Sequence, residues 1–148
     1  MDKRQEKWDK RFLGLSEHVS RWSKDPSTKV GSIITDGIKI ISMGYNGLPQ
    51  QVRDMPEILG NRTVKYKHIL HAETNAILTA KTDLSGSTIY TFPFLPCTKC
   101  ASMIAQAGIT RVVSIACEDE RWKQRLEESK HFMELCNLEV VIYDNYVM

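Results

Sequence analysis

His71-Ala72-Glu73 and Pro96-Cys97-Thr98-Lys99-Cys100 are the two short segments of this 148-residue chain whose residue types could do chemistry. Imidazole and thiolate are zinc donors. Three protein ligands, His71, Cys97 and Cys100, would leave a fourth tetrahedral position for water, the pattern of a catalytic zinc site. Each segment alone is weak. A His-x-Glu can be a capping histidine beside a solvated glutamate. A Cys-x-x-Cys can be a redox pair or half of a structural zinc site. A thioredoxin-like pair belongs after the first strand of a βαβ unit, and this one lies late in the chain. A four-cysteine site needs a second close pair, which the widely separated Cys117 and Cys136 do not form. Those two read as buried fillers.

The spacing suits a metal site. Cys97 and Cys100, three apart at a helix start, share one face, and a helix N-terminus favours thiolates. Two thiolates cancel the charge of Zn²⁺, so a water on it is acidified less than on a three-imidazole site. A neighbouring base is then useful, and Glu73 is placed in sequence to be that proton carrier. Residues two apart on a regular helix point about 200° apart. His71 must therefore stand at the irregular first position of its helix if it and Glu73 are to face one site.

The elements that would carry these residues can be read from periodicity. Trp8, Phe12, Leu15, Val19 and Trp22 form one apolar stripe, predicting a first helix that ends at Asp25-Pro26. Residues 30–35 are apolar and β-branched, Asp36-Gly37 reads as a two-residue turn, and 38–45 resume the strand pattern, giving a hairpin. Residues 48–67 read as a long irregular loop, a feature that is usually functional. Helices are expected over 71–81, 98–107 (stopped by Gly108) and 119–136, and strands over 88–92, 111–116 and 138–143. The order α-β-β-α-β-α-β-α-β predicts an α/β protein, a three-layer α/β/α sandwich around one mixed five-stranded sheet.

Composition narrows the class. With 42% hydrophobic and 26% charged residues the chain reads as globular, and its length suits one domain spanning 1–148. Twenty basic against 18 acidic residues, a net charge of +2, is too even for a nucleic-acid binder. No stretch approaches the ~20 apolar residues of a membrane span, and residues 1–11 lack the apolar core of a signal peptide. The expectation is a cytoplasmic protein, in the host cytoplasm if the source is viral, with neither nucleic acid nor membrane as partner.

Taken together, the two segments resemble the H-x-E and P-C-x-x-C signature of the zinc-dependent cytidine and deoxycytidylate deaminases. Within that family the chain looks most like the deoxycytidylate (dCMP) deaminases. The matching stretches are Asp-Pro-Ser-Thr-Lys-Val-Gly at 25–31, Gly-Tyr-Asn-Gly-Leu-Pro at 44–49, Lys65-Tyr66, His-Ala-Glu-Thr-Asn-Ala-Ile at 71–77 and Pro-Cys-Thr-Lys-Cys-Ala at 96–101. The resemblance implies a cytidine-deaminase-like fold and one catalytic Zn²⁺ per chain. It also implies hydrolytic deamination of dCMP to dUMP and ammonia, with Glu73 shuttling protons and dUMP feeding dTMP synthesis. Asn46 would hydrogen-bond the sugar; as a mere turn residue beside Gly47 it would instead be left-handed. Ala72 and Pro96, inside the two motifs, are expected to touch the substrate.

The resemblance further implies a homo-oligomer, often a hexamer, activated by dCTP and inhibited by dTTP, with Mg²⁺ accompanying a triphosphate. The effector site would lie partly on the loop after Gly47. There this chain carries Gln50-Gln51-Val52-Arg53 where family members often have a second glycine. Preference for a nucleotide over a nucleoside needs a phosphate binder, and the forked guanidinium suits it. Arg121 is the expected group, with Trp122 walling the pocket and Arg53 and Lys99 as further candidates.

Other readings share some of these features. A tRNA adenosine deaminase or a guanine deaminase would carry the same zinc motifs, and the former should show a basic surface. A free cytidine deaminase usually has cysteine where His71 stands. A non-catalytic, zinc-stabilised nucleotide-binding regulatory domain would have no use for Glu73.

Overall fold

The computed structural model describes residues 2–148. The chain runs α1 (Lys3–Ser20), β1 (Gly31–Asp36), β2 (Lys39–Tyr45), α2 (Pro56–Leu59), α3 (Arg62–His68), α4 (Ala72–Ala80), β3 (Thr88–Phe92), α5 (Thr98–Gln106), β4 (Arg111–Ile115), α6 (Glu120–Leu135) and β5 (Glu139–Tyr143). The five strands form one sheet in the order β2-β1-β3-β4-β5. The β1 strand is antiparallel to both β2 and β3, whereas β3, β4 and β5 run parallel. The sheet is mixed, as expected.

Alternation along the strands divides the core in two. Ile33, Tyr90, Val113 and Val141 point to one face, where they meet Phe12, Leu13 and Val19 of α1. Their neighbours Ile34, Ile89 and Val112 point to the other, against Ala76 of α4, Ala101 and Ile104 of α5 and Met133 of α6. The result is three layers: α1, the sheet, and α4 to α6. Two glycines let helices lie directly on the hairpin. A Cβ on Gly31 would collide with the Ser16 carbonyl oxygen of α1. One on Gly44 would sit 2.5 Å from the Ala72 oxygen and 2.6 Å from the Ala76 nitrogen, so the first turn of α4 rests on bare β2 backbone.

The α1 layer also holds a buried charge. Asp9 is fully buried and accepts hydrogen bonds from Tyr90 Oη (2.7 Å), Tyr143 Oη (2.6 Å) and both terminal nitrogens of Arg111 (2.8 and 2.5 Å). Burial alone would raise its pKa, but the bonds from Arg111 and the two tyrosines outweigh that and hold the carboxyl below its usual range.

Several expectations shift. The first helix stops at Ser20, before Asp25-Pro26, with Arg21 in the C-cap position. Leu13 is completely buried while Trp22, beyond the helix, is 46% exposed and packs edge-on against His18 and Tyr45. The hairpin turn is Gly37-Ile38, one residue later than expected, since Asp36 still pairs with Lys39 and Gly37 supplies the positive φ of +60°. Residues 48–67 are not irregular throughout. Pro56 opens α2 at its first turn, and Asn61 caps α3 by accepting from the Val64 amide. Cys117 and Cys136 are half-buried, not fully buried fillers.

Candidate active site

Two helix starts face each other at one end of the sheet. The entry to α4 is pinned by paired backbone hydrogen bonds between Gly47 and Leu70, at 3.0 and 2.8 Å. His71 follows as the N-cap, with extended backbone (φ −71°, ψ 156°), so its ring leaves the helix axis. Glu73 lies in the first turn and is buried. The irregular first position is what lets His71 and Glu73 line one cavity. Across from them Cys97 is the N-cap of α5, its sulfur accepting from the Cys100 amide at 3.4 Å.

The His71 Nδ1 atom lies 3.3 Å from Cys100 Sγ and 3.5 Å from Cys97 Sγ, and all three donor atoms fall within 4.8 Å of one another. Bond lengths of about 2.0 and 2.3 Å to nitrogen and sulfur place tetrahedral zinc ligands about 3.5–3.8 Å apart. The set therefore fits zinc, and it is the one such His/Cys/acidic group among the described residues. Its electrostatics agree. The Cys100 thiol and then His71 hydrogen-bond to Cys97, pulling its thiol down to about 3. Donation to Cys97, then burial, pushes the Cys100 thiol up. A divalent cation binding there would displace the protons the sulfurs carry. The Cys97 hydrogen bond raises His71. Burial pushes Glu73 up to about 7, where a carboxyl both takes and gives a proton near neutral pH.

The cavity above these groups has a volume of about 360 Å³. Ala72 lines it, and so does Trp122, whose ring packs at 5.3 Å on that of Phe94. Asn46 lines it too and is not left-handed, so the turn reading fails. Its Oδ1 accepts from the Val30 amide at 2.9 Å, and its Nδ2 donates to the Thr28 carbonyl at 2.8 Å. Asn46 thus fastens the 28–30 segment that walls the cavity. Pro96 is buried but does not line the cavity; its carbonyl accepts from Ser129 Oγ.

Arg121 is not at the site. Its side chain is 80% exposed and turned to Asp119, at 2.6 Å. Arg53 and Lys99 are likewise exposed and line no part of the cavity. Sequence reasoning missed Arg125, which does line it with the guanidinium 5.1 Å from the Trp122 ring centroid. The available signal was helical: Arg125 is three residues beyond Trp122 and so shares its face. It also missed the Asp25–Lys65 pair, a buried ion pair of 3.0 Å in the cavity wall.

A three-layer α/β/α fold with a His/Cys/Cys zinc site and a buried glutamate in one cavity defines a zinc-dependent hydrolytic enzyme. The family model described as the cytidine and deoxycytidylate deaminase zinc-binding region matches residues 6–116, and the chain belongs to that family. It is 42% identical over 137 residues to a protein of Aliivibrio fischeri described as an uncharacterized deaminase in the luxG 3′ region, covering 90% of this chain and 92% of that one. It is 36% identical over 115 residues to human deoxycytidylate deaminase, covering 72% of this chain and 63% of the human protein. The chain thus spans less than two thirds of the human relative's length. The fold matches the crystal structure of dCMP deaminase from the cyanophage S-TIM5 in complex with dCMP and dUMP. There the TM-score is 0.74 with 23% identity, over 96% of this chain and 98% of that one.

Proposed function

We propose that this chain deaminates dCMP hydrolytically, dCMP and water giving dUMP and ammonia. The observation that carries this reading is the buried Glu73 in one cavity with His71 and Cys97, two of the three clustered zinc donors. The deoxycytidylate deaminases among its relatives point to the substrate. Zinc held by His71, Cys97 and Cys100 would supply a Lewis acid and an acidified water. Glu73 would take one proton from the attacking water and hand it to the ring nitrogen next to C4 as the C4–O bond forms, then take the second from the new C4 hydroxyl and hand it to the amine as the C4–N bond breaks, leaving the C4 carbonyl and ammonia. The Phe94–Trp122 pair offers an aromatic wall for the base. Ala72 and Asn46 line the site, Asn46 shaping the wall where the sugar would lie. Arg125, in place of the expected Arg121, is the group we assign to the phosphate.

The family resemblance also supports a homo-oligomer, a hexamer by that pattern, responding to dCTP and dTTP with Mg²⁺ on the triphosphate. From length and composition our reading is a single catalytic domain over 1–148 working in the cytoplasm. No helix among the described residues is long and apolar enough to cross a membrane.

The test is turnover of dCMP, CMP, deoxycytidine and dCTP by the zinc-loaded protein, with and without a chelator, followed as absorbance loss and ammonia release. Chelator-sensitive turnover favouring dCMP supports the reading. Turnover of none of the four, with or without triphosphate effectors, would defeat it.

A further inference from the structure

The proposed cation site has a second tier of contacts that treats its two sulfurs differently. Cys97 Sγ receives the Cys100 amide at 3.4 Å, a bond made by capping α5. Cys100 Sγ, in the first turn of the same helix, is reached from the other helix, where Thr74 Oγ1 lies at 3.7 Å. The same hydroxyl is 3.9 Å from Met103 Sδ. Thr74 is three residues past His71, so it stands one turn along the α4 face that carries the imidazole. Its hydroxyl behaves unlike that of Thr79 on the same helix, which bonds back to the Asn75 carbonyl at 2.8 Å, the usual sink for a helical threonine. The carbonyl four residues before Thr74, that of Leu70, already accepts from Gly47 outside the helix. Thr74 is left to turn its O–H to sulfur.

We propose that Thr74 is a positioning residue for zinc, its hydroxyl donating to the Cys100 thiolate. This rests on the zinc site read above. Partners of the ligands fix their orientation and tune the metal, and their loss typically costs 10–100-fold in metal affinity or activity. Here the donor locks Cys100 in the rotamer that faces His71 and Cys97. It also draws charge off one of the two sulfurs that would otherwise damp the acidity of a zinc-bound water. Thr74 therefore ties α4 to α5 across the site, so that the imidazole of one helix and the thiolate of the other keep their spacing.

The test compares wild type with Thr74→Val, which keeps the shape and removes the hydroxyl, and with Thr74→Ser, which keeps the hydroxyl. Zinc affinity is read by competition with a chromophoric chelator, and the sulfur-to-metal charge-transfer band by cobalt(II) substitution. Thr74→Val should bind zinc at least ten-fold more weakly. Its charge-transfer band should move to longer wavelength, because a sulfur without a donor gives up its electrons more easily. Thr74→Ser should stay within about three-fold of wild type with its band unmoved. If Thr74→Val does not fold, Thr74→Ala carries the same expectation. Wild-type affinity and an unmoved band in the hydroxyl-free variant would overturn the role of Thr74. Equal losses in the serine and valine variants would overturn it too, since packing would then be the cause. A wild-type protein that fails to take up one zinc per chain would instead overturn the site itself.

Discussion

Lys65 Nζ lies 3.0 Å from Asp25 Oδ1, and both side chains are almost wholly buried, at 3% and 4% exposure. The pair joins α3 to the turn after α1 across 40 residues of chain. Asp25 also accepts from the Ser27 and Thr28 amides, at 2.8 and 3.3 Å, and Asn46 Nδ2 approaches it at 3.4 Å. One carboxylate therefore holds the wall segment, the asparagine and the helix. Removing one member of a buried pair strands the other charge, at a cost of about 3–5 kcal/mol. Lys65→Met should lose stability on that scale, measured by urea unfolding, and should weaken dCMP binding. A loss below about 1 kcal/mol would show that the pair is hydrated and peripheral.

Arg125 and Arg121 are separated by one helical turn and both are exposed, but only Arg125 lines the cavity, while Arg121 turns to Asp119. A hydrogen bond to a charged group contributes about 1.5–3 kcal/mol. Arg125→Ala should raise KM for dCMP roughly 10–100-fold while leaving the weak turnover of deoxycytidine little changed. Arg121→Ala should leave both unaltered. The reverse pattern in steady-state kinetics would move the phosphate to the outer face of α6.

Much of this site could be read from sequence because its ligands lie in two contiguous segments whose roles are set by local helix starts. His71 and Cys97 are both N-caps, and the geometry demanded of His71 is the one found. The strand over Thr88–Phe92 matches residue for residue, since its side chains enter both cores. What was hidden depends on long-range contact. The short α2 and α3 lie in a polar stretch with no strong periodicity, and Lys65 finds its partner only in three dimensions. Arg125 shares the Trp122 face of α6 by its three-residue spacing, a local signal that points to the cavity only once Trp122 is placed there. Trp22 fits the stripe of α1 by spacing, yet the helix ends before reaching it.

We expect Asp9 to set the acid limit of the fold. Its carboxyl is held below the ordinary value by Arg111 and the two tyrosines despite burial. The sign follows from linkage. The unfolded chain binds the proton more readily, so the contribution is full above the unfolded pKa near 3.8 and disappears as pH falls through the lower folded value. Asp9→Asn should cost about 3–5 kcal/mol near pH 7, because it leaves Arg111 half-buried without its carboxylate. It should also flatten the stability profile below about pH 4. Equal acid sensitivity in the two proteins would place the limiting carboxylate elsewhere.

In the proposed reaction Glu73 moves the proton and holds neither the metal nor the fold. Zinc-loaded Glu73→Gln tests it most directly, with zinc content and dCMP turnover measured on the same sample. The variant should keep one zinc per chain and an intact fold, with turnover reduced about 10²–10⁴-fold, the range of general acid–base assistance. Turnover within a few-fold of wild type, with zinc retained, would contradict it.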